Sequence, residues 1–242
     1  MLCLKTNKGF FRKGFRFYFK IKKMSVAQRI REIKEGLPEG VRLLAVSKFH
    51  PAESIMEAYN EGQRLFGENH VQELTQKQQI LPADIEWHFI GHLQSNKVKY
   101  IVPFVSLIHS VDTEKLLGVI NTQAEKCGRV VECLLEIHVA KEETKYGFDF
   151  DSAKELLESG RLNALKNVSV VGIMGMSSIT DDESQIRREF ASLSSFYRSM
   201  KESVAPQFRE LSMGMSGDYH IAIEEGSTII RLGTTIFGAR QY

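Results

Sequence analysis

Eight short apolar segments alternate with amphipathic stretches in this sequence, and this alternation constrains the fold more than any other feature. The segments are rich in Val, Ile and Leu, as are strands that are buried on both faces. Parallel strands need crossover connections, usually helices, and eight such units in roughly 200 residues predict an α/β fold, a (β/α)8 TIM barrel. The predicted strands cover residues 42–48, 64–67, 87–90, 107–111, 131–139, 168–174, 210–213 and 229–232.

One extra helix is predicted before the first strand, from a cap at Ser25 to about residue 34. The main alternative is a doubly wound open sheet. We disfavour that alternative because no Gly-rich fingerprint follows the first strand. The other helices are predicted over residues 51–61, 71–79, 96–101, 114–126, 152–158, 183–202 and 220–225.

The first 23 residues differ from the rest of the chain, with eight basic side chains, no acidic one and several aromatic rings. We interpret residues 1–23 as an N-terminal extension, either disordered or produced by a mis-called start upstream of Met24. Residues 24–242 are then a single TIM-barrel domain. A signal peptide is disfavoured because no uninterrupted apolar run follows the basic residues.

Composition argues against several classes of partner. The whole chain has a net charge of +2, so the residues after the extension carry −6, which disfavours nucleic acid as a partner. No apolar run approaches the roughly 20 residues that span a bilayer, so no membrane is expected. Three cysteines without metal-ligand spacing indicate a reducing environment, so we expect a cytoplasmic protein. The sequence shows no long apolar surface stripe that would require a second subunit, so we expect a monomer.

The first predicted strand runs directly into Lys48. A lysine at the end of a buried strand loses part of its charge because burial lowers its pKa. A neutral amine is a nucleophile that forms Schiff bases with aldehydes, as lysines do with pyridoxal 5′-phosphate (PLP). Taken alone, this segment fits an ordinary strand-end lysine with a solvated ammonium better.

Hydroxyls and glycines follow the last two predicted strands. Ser212 and Ser216 follow strand seven, while Gly233 and Thr234 follow strand eight. These loops often bind phosphate in TIM barrels, although turns with capping hydroxyls explain the same residues. The phosphate interpretation gains weight because strand eight neighbours strand one, and hence Lys48, in a closed barrel.

Arg231 lies two residues before Gly233. Residues two apart along a strand lie on the same face, so Arg231 shares the face of Gly233. Beside a pyridine nitrogen it would donate a hydrogen bond and keep that nitrogen unprotonated. Pairing of Arg231 with a carboxylate at the barrel mouth is an equally good interpretation of this residue alone.

Five motifs carry a resemblance to a known family, and they cover residues 45–48, 66–73, 87–97, 210–218 and 231–238. They resemble the signatures of the YggS/PROSC family of PLP homeostasis proteins. The resemblance extends over residues 25–242 in order. That family is similar to the N-terminal domain of alanine racemase, a fold type III PLP protein.

The resemblance implies PLP as a cofactor, bound covalently at Lys48. It implies a carrier or regulator in intracellular vitamin B6 balance, without robust catalysis, and with PLP-dependent apo-enzymes as partners. Phosphate contacts are implied for Ser212, Ser216, Gly233 and Thr234, a ring-nitrogen contact for Arg231, and ring-wall contacts for Asn69, Met174 and Met215.

A weak PLP-dependent, racemase-like enzyme acting on amino acids is the alternative. Racemisation needs a base on each face of the bound amino acid, and the related enzymes take the second base, a tyrosine, from a further domain that we do not expect here. Tyr242 and His88 are the conceivable substitutes. A lysine aldolase acting on a phosphorylated sugar fits the barrel but not the motifs.

Metal binding is disfavoured. His88 and His92 lie four residues apart, but zinc needs a third protein ligand and no cysteine is suitably spaced. We therefore interpret both histidines as structural.

Overall fold

The computed structural model describes residues 24–139 and 146–239, in which eight parallel strands pair in sequence order into a closed barrel. The barrel closes where β1 pairs with β8, with Arg42 opposite Ile229 and Ala45 opposite Leu232. This confirms the predicted (β/α)8 barrel. The strands are β1 (Arg42–Val46), β2 (Leu65–Glu68), β3 (Glu86–Phe89), β4 (Leu107–Val111), β5 (Val131–Ile137), β6 (Val168–Gly175), β7 (Glu210–Ser212) and β8 (Ile229–Leu232).

Helices cover the outside of the barrel. The first begins where the sequence predicts, because the Ser25 side chain accepts a hydrogen bond from the Gln28 amide and Gln28 caps Ser25 in return. The α-helices are α1 (Val26–Gly36), α2 (Ala52–Asn60), α3 (Val71–Ile80), α4 (Val98–Ile101), α5 (Glu114–Lys126), α6 (Phe150–Glu158), α7 (Glu183–Ser203), α8 (Tyr219–Glu224) and α9 (Thr234–Phe237), and short 3₁₀ helices cover Ser95–Lys97 and Arg161–Ala164.

Two hydrophobic clusters hold the barrel together. The larger one fills the layer between the strands and the helices. The smaller one lies inside the barrel, where alternate residues of the strands point inward. It consists of Leu44, Leu107, Leu134, Val171, Met174 and Ile229.

The first strand is shorter than predicted, and this matters for the site. β1 ends at Val46, because the chain turns immediately afterwards: the Ser47 amide still bonds to the Gly67 carbonyl, and the His50 amide bonds back to the Ser47 carbonyl. Lys48 therefore lies in the loop after β1 rather than in the strand. β5 likewise ends at Ile137 instead of residue 139.

Several predictions concern residues outside the described ranges. The extension at residues 1–23, its boundary with the barrel domain and Tyr242 all lie there, so these stay predictions. Within residues 24–139 and 146–239, no helix combines the length and apolar character needed to cross a bilayer.

Candidate functional site

A cavity of about 290 Å³ opens among the loops that follow the carboxyl ends of the strands, which is the face where TIM barrels carry their active sites. Six of the nine predicted site residues line it. They come from three loops or strand ends, after β1, after β7 and at β8. These six are Lys48, Met215, Ser216, Arg231, Gly233 and Thr234.

The closure of the barrel explains why residues so distant in sequence meet here. Leu232 at the end of β8 is paired with Ala45 near the end of β1. The chain then continues into Gly233 and Thr234 on one side and into Lys48 on the other. A side chain at Gly233 would press against the Val46 carbonyl, since an added Cβ would lie 3.3 Å from that oxygen. The lysine and the Gly-Thr pair therefore belong to adjacent loops.

The loop after β7 is held by Asp218. Its carboxylate accepts hydrogen bonds from the Met215 amide at 2.5 Å and from the Ser177 hydroxyl at 2.7 Å. The Ser216 hydroxyl accepts from the Thr235 amide at 3.4 Å, which joins this loop to the start of α9. Gly217 also lines the cavity, and a Cβ added there would meet no atom within 4 Å. The result is a shallow cradle of glycine backbone and hydroxyl groups.

Arg231 is buried and rigidly held at the base of the cavity. Its guanidinium donates to the Ser212 carbonyl at 2.8 Å, to the Ser212 hydroxyl at 2.7 Å and to the Gly175 carbonyl at 3.1 Å. Burial lowers its pKa to about 10, against the attraction of Asp218 and Glu136. The group therefore stays positively charged at neutral pH and can only donate hydrogen bonds.

A chain of neutral polar groups continues from Arg231 into the barrel. The Ser212 hydroxyl lies 3.0 Å from His109 Nδ1, and His109 Nε2 lies 2.9 Å from His88 Nδ1. Burial lowers the pKa of His88 to about 3 and also lowers that of His109. Because Ser212 already accepts from Arg231, these contacts are satisfied if the Ser212 hydroxyl donates to His109 Nδ1 and His109 Nε2 donates to His88 Nδ1.

Three predicted site residues do not line the cavity. Ser212 is fully buried with its hydroxyl engaged by Arg231 and His109, a geometry that does not favour a phosphate contact from that hydroxyl. Met174 packs in the cluster inside the barrel. Asn69 follows β2, and its Oδ1 is buried without a hydrogen-bond partner among the described residues. Their roles toward a ligand stay predictions.

The two histidines considered as metal ligands have separate partners. His88 bonds to His109 inside the barrel, whereas His92 pairs with Asp112 at 3.0 Å and stacks on Tyr146 with ring centroids 3.9 Å apart. In the part of the chain that the structure describes, no three His, Cys, Asp or Glu side chains form a group able to hold a metal ion.

The sequence is similar to proteins of one known family. The profile of the family described as "Alanine racemase, N-terminal domain" matches residues 21–241. A pyridoxal phosphate homeostasis protein of Aquifex aeolicus is 41% identical over 221 residues, which cover 90% of this chain and 96% of that protein. The human protein of that name is 38% identical over 231 residues, covering 90% and 82%. This chain belongs to the pyridoxal phosphate homeostasis protein family.

Solved structures agree with this assignment. PipY of Synechococcus elongatus PCC7942, determined with PLP bound, is 38% identical with a TM-score of 0.78, over 88% of this chain and all (100%) of that chain. Alanine racemase from E. faecalis has a TM-score of 0.72 at 17% identity, over 89% of this chain and 58% of that one, a likeness that concerns the fold alone.

Sequence reasoning missed some of the lining residues. His50 and Ile90 both face the cavity, and His50 stacks on Phe237 with ring centroids 4.9 Å apart. Ile90 directly follows β3, and His50 lies two residues beyond Lys48, so both occupy the strand ends where ligands bind. The rule that strand ends form the site could have located His50 and Ile90. A lone histidine and an isoleucine, however, do not by themselves indicate ligand binding.

Proposed function

We propose that this protein binds PLP in the cavity at the carboxyl ends of its strands and acts in PLP homeostasis as a carrier or regulator. The cofactor would be held covalently, as a Schiff base with Lys48. Its phosphate would lie against Ser216, Gly233 and Thr234, and its ring nitrogen would face Arg231. Asn69, Met174 and Met215 are proposed as walls around the ring, and Ser212 as a support for the phosphate loop through its backbone.

One observation carries this proposal: an amine, a cradle of glycine backbone and hydroxyl groups, and a buried cation line one cavity. Lys48, Thr234 and Arg231 line the same 290 Å³ space from three different loops or strands. Glycine backbone and hydroxyls suit a phosphate monoester, because both supply hydrogen-bond donors. The donor set therefore fits PLP at each of its three functional groups.

The proposed function requires one covalent step, the condensation of the Lys48 amine with an aldehyde. When bound, PLP supplies an aldehyde that the Lys48 amine can attack, with loss of one water and no oxidation or reduction. Arg231 would donate a hydrogen bond to the ring nitrogen and keep it unprotonated, which makes the ring a weaker electron sink. Such a site favours holding the cofactor over using it.

The relatives support a role in PLP binding and homeostasis. The curated relatives are named for PLP homeostasis, and PipY was determined with PLP bound. Delivery of PLP to apo-enzymes, a monomeric state and a cytoplasmic location stay predictions from the resemblance and the composition.

A weak racemase-like activity on amino acids is the second candidate. His50 lines the cavity and offers an imidazole beside Lys48. His88, by contrast, is buried inside the barrel and bonded to His109, so it does not serve as a second base. Exchange of deuterium into the α-carbon of an amino acid would separate a catalyst from a holder of PLP.

We expect Lys48→Ala to abolish the covalent link while leaving weaker, phosphate-anchored binding. The measurement is the visible absorption spectrum of protein incubated with PLP, followed by borohydride reduction and mass spectrometric mapping of the adduct. Wild-type protein should be yellow and carry the reduced adduct at Lys48.

The matched control is Lys99→Ala, which removes an exposed lysine near the Tyr100 ring and should leave the spectrum unchanged. A wild-type protein that takes up no added PLP would contradict the proposal. An adduct that maps to another lysine would contradict the role of Lys48 alone.

A further inference from the structure

Lys77 is a buried lysine whose ammonium group is fully engaged directly behind the loop that carries Lys48. It lies on α3 and is only 7% exposed. Its Nζ atom donates to the Ser47 carbonyl at 2.8 Å, to Glu68 Oε1 at 2.8 Å and to Glu73 Oε1 at 2.7 Å. These three bonds use all three ammonium protons.

The partners of Lys77 hold the residues on both sides of Lys48. Before it, the Ser47 hydroxyl donates to Glu68 Oε1 at 2.6 Å. After it, the Phe49 amide donates to Glu73 Oε1 at 2.7 Å. One cation and its two carboxylates therefore hold the backbone around Lys48 from both directions.

The loop requires such anchoring because its conformation is unfavourable. Phe49 has a φ of 64°, in the left-handed region that non-glycine residues rarely adopt. Phe49 is 45% exposed, so burial of its side chain does not fix this backbone geometry. The Phe49 amide bond to Glu73 is then a specific interaction that holds the strained turn.

Glu68 and Lys77 form a buried ion pair, with Lys77 Nζ 2.8 Å from Glu68 Oε1. Glu68 is fully buried, and burial raises its pKa to about 7, although the Lys77 ammonium opposes that rise. Its second oxygen has no hydrogen-bond partner in the described residues. Without the Lys77 cation, Glu68 would become an unpaired buried acid and take up a proton, and its hydrogen bond with Ser47 would weaken.

We propose that Lys77 is a positioning residue for Lys48: acting through Glu68 and Glu73, it fixes the Ser47–Phe49 turn so that the Lys48 amine reaches the ligand cavity. The inference rests on the proposed function, since it concerns covalent capture of PLP at Lys48. It separates two properties of the site. Capture of the aldehyde depends on the Lys77 cluster, whereas anchoring of the phosphate by the Ser216 and Thr234 loops does not.

The test compares wild-type protein with Lys77→Met and with the double variant Glu68→Gln/Lys77→Met, which removes one positive and one negative charge and so avoids an unpaired buried acid. Two quantities are measured for each. The first is the rate at which borohydride-trapped PLP appears on Lys48. The second is the affinity for pyridoxine 5′-phosphate, which has the phosphate and ring but no aldehyde.

We expect trapping to slow by about 10- to 100-fold in both variants, because a small displacement of a reacting group costs this much rate. Affinity for pyridoxine 5′-phosphate should stay within about twofold of wild type, which is less than 0.5 kcal/mol. Arg187→Met is the control, since it breaks a surface ion cluster with Glu224 and Glu225 far along the chain and should change neither quantity.

Two outcomes would overturn the positioning role alone. One is unchanged trapping in the folded double variant. The other is an equal loss of trapping and of pyridoxine 5′-phosphate affinity, which would indicate a general structural effect. Wild-type protein that binds neither compound would instead overturn the proposed function, and the positioning role with it.

Discussion

Thr234 stands at the start of α9, with an exposed side chain on the edge of the cavity, and its hydroxyl can donate to a ligand oxygen without disturbing the barrel. The neighbouring Thr235 instead lines a separate groove beside α1. These two residues share their chemistry but face different spaces.

We expect Thr234→Val to weaken PLP binding by roughly 1 to 3 kcal/mol, because a phosphate oxygen loses its partner. The dissociation constant for PLP checks this, and the same variant should bind pyridoxal, which has no phosphate, as wild type does. Thr235→Val is the matched control and should bind both compounds normally. An equal loss for pyridoxal would show that the hydroxyl does not contact the phosphate.

The individual residues that sequence reasoning found and missed differ in a physical way. Lys48, Arg231 and Thr234 could be predicted from the sequence, because strand alternation and strand ends place them on one face of the barrel. Lys77 was not, because its partners Ser47 and Glu68 come from other elements. The Glu73 and Lys77 pair has the i, i+4 spacing of an exposed helix pair, and that pattern does not indicate a buried cluster.

Among the elements, the loop after β7 depends on one glycine. Gly214 has a φ of 95°, and a Cβ added there would lie 2.6 Å from the Ala222 Cβ on α8. Its carbonyl also accepts the Arg231 amide at 2.9 Å. This glycine therefore sets how closely α8 approaches the cradle and how the loop joins β8.

Gly214→Ala should destabilise the protein by roughly 1 to 3 kcal/mol, through left-handed strain and steric overlap, and should weaken PLP binding as the loop shifts. Urea unfolding and the PLP dissociation constant check the two effects. Gly118→Ala is the control, because its added Cβ meets no atom within 4 Å and alanine favours a helix. A Gly214→Ala protein as stable as wild type would contradict the steric argument.

Element boundaries show where local pattern stops being informative. The helix prediction at Ser25 succeeded because its capping box is a local signal. The end of β1 and the short α9 were missed because they depend on long-range contacts. The Ser47 turn is fixed by Glu68 and Lys77, and α9 begins where Thr235 meets Ser216.

At the scale of the whole molecule, buried ionisable groups give stability two opposite pH dependences. His88 has its pKa lowered to about 3 by burial, so below its ordinary value of 6.5 only the unfolded chain takes up a proton and stability falls. Glu136 has its pKa raised from 4.5 to about 7 by burial and by Asp112, so its contribution is lost as the pH rises through 7.

We expect His88→Gln to remove roughly 1 to 3 kcal/mol of the stability loss on going from about pH 6.5 to about pH 4. Glu136→Gln should act in the opposite range and flatten the loss from about pH 4.5 to about pH 7. Free energies of unfolding in urea at several pH values check both slopes. Curves for both variants that run parallel to wild type would show that neither group titrates as proposed.

The β1 and β8 pairing also has a consequence for the order of synthesis. Lys48 is made early, while Arg231, Gly233 and Thr234 are among the last barrel residues to leave the ribosome. A nascent or partly unfolded chain that lacks β8 holds the amine without the cradle. Cofactor retention would therefore begin only when the barrel closes. Bound cofactor would then indicate that the barrel has completed its folding.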